Sequence, residues 1–107
     1  MTDFMGKPFV TKEQLISTLN QWGEGKISAQ QLQDWMVTYY DPPEVEIGPG
    51  ESEPVQEAMN IIMNEYELAK IPKFKTEGYA LAIAFIESTP ESFYQRRHNF
   101  IHNGFAD

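Results

Sequence analysis

The chain has 107 residues, 41% of them hydrophobic, and its 16 acidic against eight basic side chains leave a formal net charge of −8. That length suits one domain with a core of its own, so residues 1–107 are read as a single helical domain. The absence of cysteine excludes a disulfide scaffold, thiolate metal sites and a thiol nucleophile, and the acidity argues against direct nucleic-acid or anionic-membrane binding and for a basic partner.

No apolar run is long enough for a membrane span. The first residues lack the charged-then-apolar pattern of a signal peptide, and the absence of cysteine fits the cytoplasm as the expected compartment.

The first helix is announced by Thr11-Lys12-Glu13-Gln14, a capping box, with Val10 and Leu15 as its hydrophobic staple. Leu15, Leu19 and Trp22 form one apolar stripe on the helical period, and Gly23 and Gly25 end it. Ser28-Ala29-Gln30-Gln31 repeats the grammar, with Ile27 and Leu32 as staple and Leu32, Trp35, Met36 and Tyr39 as the apolar face. Asp41-Pro42-Pro43 stops this second helix. The short link around Gly25 predicts an antiparallel helical hairpin.

Asp41 to Glu53 reads as a long loop, rich in Pro and Gly, with five acids and no base. Val45 and Ile47 alternate in it as if briefly extended, but no strand is expected. A third helix follows, with Ser52 or Glu53 as cap, Pro54 in its first turn and Val55, Ala58, Met59, Ile62, Met63 and Tyr66 as buried stripe. It runs to about Ala69. A fourth starts near Thr76 and is apolar on every side from Tyr79 to Ile86, which places it centrally. Thr89-Pro90-Glu91 opens the last helix, whose face is Phe93, Tyr94, Arg97, Phe100 and Ile101. The expected fold class is all-α, a compact bundle of about five helices opening with the hairpin.

The charge is unevenly placed. Between Lys26 and Lys70 there is no base, and there are nine acids: Asp34, Asp41, Glu44, Glu46, Glu51, Glu53, Glu57, Glu65 and Glu67. The remainder of the chain carries a charge of only +1. A single-sign field costs self-repulsion, and a cationic partner offsets that cost on binding. A nuclease cleft, built to attract phosphates, is such a partner.

Catalytic grammars are sparse. There is no phosphate-binding loop, no dinucleotide fingerprint, no serine nucleophile elbow and no EF-hand order, so no cofactor is expected. His98 and His102 are four apart on one helix side, but with no Glu between them and no third ligand nearby they predict no metal site.

Two resemblances remain. Arg97-His98-Asn99-Phe100-Ile101-His102 resembles the R-polar-x-x-x-H motif of the all-helical HEPN ribonucleases, which implies cleavage by Arg97 and His102 with His98 in support. The net charge of −8 opposes an RNA substrate, so this stands as the alternative.

The opening Trp22-Gly23-Glu24-Gly25-Lys26-Ile27-Ser28, continued to Trp35 as W-x-x-G-x-I-S-x-x-x-L-x-x-W, together with small size and acidity, resembles the helical immunity proteins of bacterial toxin systems, of colicin type and of contact-dependent growth inhibition. The resemblance implies a non-enzymatic cytoplasmic protein that binds one cognate toxin domain very tightly. A monomer that joins the toxin in a heterodimer is the expected state.

Charge placement alone puts the contact at Asp41, Glu44, Glu46, Glu51, Glu53 and Glu57, flanked by Tyr39 and Tyr40. The expected partner is a basic ribonuclease toxin domain, with neither nucleic acid nor membrane bound directly. An acidic adaptor for some other basic protein is the second alternative.

Overall fold

Both capping boxes form. The computed structural model describes residues 8–41 and 44–106. Helix α1 spans Lys12–Gly23 and α2 spans Ala29–Tyr39. Gln14 N–H donates to Thr11 Oγ1 at 3.0 Å while Thr11 N–H donates to Gln14 Oε1 at 2.8 Å. Ser28 and Gln31 repeat the pair at 3.1 and 2.8 Å. Each box satisfies two donors that the helix itself leaves unpaired.

Helix α1 then closes in a Schellman motif. Lys26 N–H donates to Gln21 C=O at 2.8 Å and Gly25 N–H to Trp22 C=O at 3.0 Å. Gly25 has φ +78°, a value that a residue without Cβ takes cheaply.

The expectation of no strand is corrected. Phe9–Val10 (β1) and Glu46–Ile47 (β2) pair in parallel, Phe9 opposite Glu46 and Val10 opposite Ile47. Glu46 N–H donates to Pro8 C=O at 2.9 Å and Gly48 N–H to Val10 C=O at 2.8 Å. The fold is therefore mainly helical, with a two-stranded ribbon that ties the acidic loop to the chain entering α1. Val10, Val45 and Ile47 are buried in the core beneath it. The period of two turns Glu46 outward.

Helix α3 spans Glu53–Leu68, with Pro54 in its first turn. Its last turn is capped from another helix: Gln33 of α2 donates through Nε2 to Ala69 C=O at 2.6 Å, Tyr66 C=O at 3.1 Å and Glu67 C=O at 3.3 Å. Replacing Gln33 by alanine strands these carbonyls at a half-buried seam. The expected cost is about 1–2 kcal/mol, read as a lower urea midpoint at an unchanged slope.

A 3₁₀ turn at Ile71–Lys73 leads to α4, Gly78–Ile86. Helix α4 begins two residues later than the sequence predicts and packs against α5, α1 and α3. The last helix, α5, spans Phe93–Asn103. Its predicted opening is also corrected. Thr89 and Ser92 exchange side-chain-to-backbone bonds of 3.0 and 3.3 Å and close a separate turn around Pro90. The buried face of α5 is Phe93 and Phe100, whereas Tyr94 is 76% exposed and Arg97 is exposed.

The two opening helices touch, but α1 packs chiefly on α4 and α2 chiefly on α3. A glycine serves the first of these contacts: a Cβ on Gly23 would run into the ring of Tyr79. The helices meet around Tyr66 of α3. Its ring lies 5.6 Å from Trp22, 5.3 Å from Phe74, 5.6 Å from Phe100 and 5.1 Å from Phe105. The chain end is held there by a bridge between Phe74 and Phe105, with Ala106 N–H donating to Lys73 C=O at 2.8 Å. The radius of gyration, 13.6 Å, is near the ~13 Å of a 100-residue domain.

Candidate interaction surface

Six of the nine acids of the base-free tract are turned outward by the residues that the core claims, while Glu51, Glu65 and Glu67 are half-buried. On α3 the buried positions are Ala58, Met59, Ile62, Met63 and Tyr66. The 3.6-residue period then leaves Glu53 and Glu57, one turn apart, on the solvent side. On the ribbon, burial of Val45 and Ile47 does the same for Glu46. Asp41 and Glu44 are exposed in the loop between α2 and β2. Asp34 lies exposed on α2, accepting from Gln30 Nε2 at 2.9 Å.

Little of this charge is cancelled within the molecule. Among the described residues the ion pairs are Lys12–Glu51 at 3.7 Å and Lys26–Glu24 at 3.1 Å. Only the first involves an acid of the tract. Arg96 is occupied elsewhere: its Nη1 donates to Ala84 C=O at 2.8 Å and to Glu87 C=O at 3.4 Å, capping the end of α4. Lys73 shares a groove with Glu65, Leu68 and Phe105 at the far end of α3. Among the described residues, Asp41 and Glu44 of the loop, Glu46 of the ribbon and Glu53 and Glu57 of α3 therefore have no ion-pair partner, and neither has Asp34 on α2.

The two tyrosines predicted to flank the site part company. Tyr39 is 42% exposed, its ring 5.2 Å from that of Trp35, and it lines a groove with Phe9 and Gln14. Tyr40 ends α2 half-buried. Its hydroxyl pKa is raised from 10.0, first by burial and then by the charge of Glu67, which places it toward the α2–α3 seam. The phenols therefore serve different neighbourhoods.

A third groove was not foreseen. Glu53, Pro54 and Glu57 of α3 face Pro90, Phe93 and Tyr94 across a cleft of about 200 Å³. The sequence did carry one signal for it: Tyr94 lies about 100° around the helix from Phe93, off the buried stripe.

Within the stretch Arg97 to His102 of α5, Phe100 is buried and the three residues singled out in the sequence are on the surface. Arg97, His98 and His102 are exposed, and the two imidazole rings lie 4.3 Å apart. Among the described residues no three of His, Asp and Glu gather as a metal-binding set, and no helix is long and apolar enough to cross a membrane. Comparison with protein-family models, with curated proteins and with solved structures finds no match to this chain.

Proposed function

We propose that this chain is an immunity-type inhibitor that neutralises a basic nuclease toxin domain, a ribonuclease, in the cytoplasm. The observation that carries the reading is the run of nine acids without a base, of which Glu51 alone has an ion-pair partner among the described residues. Such a surface mimics the polyanion that a nuclease cleft is built to hold. Its field steers encounter, raising association rates toward ~10⁸–10⁹ M⁻¹s⁻¹ at low salt. Once docked, the loop, ribbon and α3 start exclude the substrate from the cleft, and no catalytic group is needed. Exposed Tyr39 and half-buried Trp35 add an aromatic surface at the rim. The free chain is a monomer and the complex a heterodimer.

The test is co-purification with a basic ribonuclease toxin domain, followed by Asp41→Lys, Glu44→Lys and Glu46→Lys together. All three residues are exposed, so the fold is expected to survive. The association rate should fall at least about tenfold at low salt, and the wild-type rate should drop steeply as salt is added. An unchanged rate in the triple variant removes the loop from the interface. Failure to protect against any such toxin removes the reading. The ribonuclease alternative draws on exposed Arg97 beside the His98–His102 pair. RNA cleavage by the wild type that is lost in His102→Ala would favour it over inhibition.

A further inference from the structure

The groove between the start of α3 and the start of α5 has a composition that selects one kind of occupant. Four of its six lining residues, Pro54, Pro90, Phe93 and Tyr94, are apolar or aromatic, and the other two are Glu53 and Glu57. Among the described residues Tyr94 is the most exposed of the large apolar side chains, at 76%. Its ring lies 5.2 Å from that of Phe93, nearly perpendicular, so buried Phe93 props it upright at the rim. Neither carboxylate has an ion-pair partner among the described residues, and Arg97, one turn along α5, pairs with neither. At about 200 Å³ the cleft is smaller than the ~300 Å³ at which drug-sized sites begin. It has room for a single side chain.

We propose that this groove receives an arginine side chain of the basic partner. The guanidinium stacks on the Tyr94 ring and donates to Glu53 and Glu57, while its methylene stem lies along Pro54 and Pro90. Each part of the arginine thus meets its complement. The planar cation matches an aromatic face and a carboxylate fork together, which a lysine ammonium does not. The neutral aromatic residue supplies what the loop acids cannot, a fixed register for a partner drawn in by long-range charge. The inference rests on the inhibitor reading for the identity of the partner, but its binding chemistry is tested without a toxin.

The probe is hexa-arginine, titrated into isotopically labelled protein at about 0.1 M salt, where the ~10 Å Debye length mutes long-range attraction to the acidic chain. Hexa-lysine is the charge-matched comparison. The expected result is a shift of the Tyr94 ring and the Glu53 and Glu57 side-chain resonances, with hexa-lysine binding more weakly. Tyr94→Ala, which changes no charge, should weaken hexa-arginine about two- to fivefold, and Tyr94→Phe should retain the affinity. Tyr39→Ala, in the other groove, should leave it unchanged.

A Tyr94 ring that does not move, or wild-type affinity in Tyr94→Ala, overturns the proposal. If hexa-arginine seats in the groove but no nuclease toxin is neutralised, the groove stands and the inhibitor reading falls. If a toxin is neutralised equally by the wild type and Tyr94→Ala, with hexa-arginine bound elsewhere, the groove falls and the reading stands.

Discussion

Replacing Gly78 by alanine is expected to cost about 3 kcal/mol or more, lowering the melting temperature by more than about 12 °C. Gly78 is the buried first residue of α4 and lies against the backbone of Gly104, the C-cap of α5. A methyl group built on Gly78 would overlap the Gly104 carbonyl oxygen and lie 3.0 Å from its carbon and 3.1 Å from its Cα. Backbone cannot move aside by changing rotamer. Gly104 is itself held by its N–H bond to Phe100 C=O at 2.9 Å. The alternatives are to separate α4 from α5, the most extensive helix contact of the fold, or to unwind the last turn of α5.

Neither Gly78 nor Gly104 has a positive φ, so both are glycine for space and not for conformation. Gly25 supplies the contrast. It has φ +78° with nothing within 4 Å of a built Cβ, so Gly25→Ala should cost only about 1–2 kcal/mol of backbone strain. Equilibrium urea unfolding of the two variants checks the ranking. Equal losses would show that the α4–α5 crossing tolerates a methyl group.

Tyr66 is expected to give opposite results with its two substitutions. Tyr66→Ala removes the ring on which Trp22, Phe74, Phe100 and Phe105 converge, and should cost about 3–5 kcal/mol. Tyr66→Phe keeps the ring and deletes a fully buried hydroxyl that has no hydrogen-bond partner in the protein. Removing an unsatisfied polar group recovers its desolvation cost, so this variant should match the wild type or exceed it by about 1 kcal/mol.

The same hydroxyl sets an alkaline limit. Burial raises its pKa above the value of 10.0 that it takes in the unfolded chain. Below pH 10 both states keep the proton and stability is unaffected. As pH rises above 10 the unfolded state releases its proton while the folded state retains it, so stability falls. Tyr66→Phe should lose that component of the alkaline decline. A wild-type-like decline in Tyr66→Phe would mean that another group sets the limit.

Much of the helical framework was legible because its signals are local. The pairs Thr11–Gln14 and Ser28–Gln31 act across a single turn, and both boxes form as their spacing requires. The buried stripe of α3 follows from the helical period alone. The ribbon was not legible as pairing, because two residues make no strand signal and Phe9 meets Glu46 from far along the chain. The turn at Thr89–Ser92 imitates a helix cap, since the same hydroxyl-to-amide bonds serve both. Of the candidate surface, the exposed carboxylates were foreseeable by charge. The helical period could have turned Tyr94 away from the stripe of Phe93, but nothing in the neighbourhood of Glu57 announces that Tyr94 faces it.

By itself, the sequence determined roughly where the helices lie, the buried stripe of α1 and most of that of α3, and that the acidity is concentrated in one base-free stretch. These properties depend on side-chain chemistry and backbone periods that act within a few residues. Only the tertiary structure decided that α1 rests on α4 and α2 on α3, that Gly78 meets Gly104, that Gln33 caps α3, and that Tyr39 and Tyr40 serve different sites. Such contacts join residues far apart in the chain. They are set by how whole helix faces fill space together, a property that no local pattern encodes.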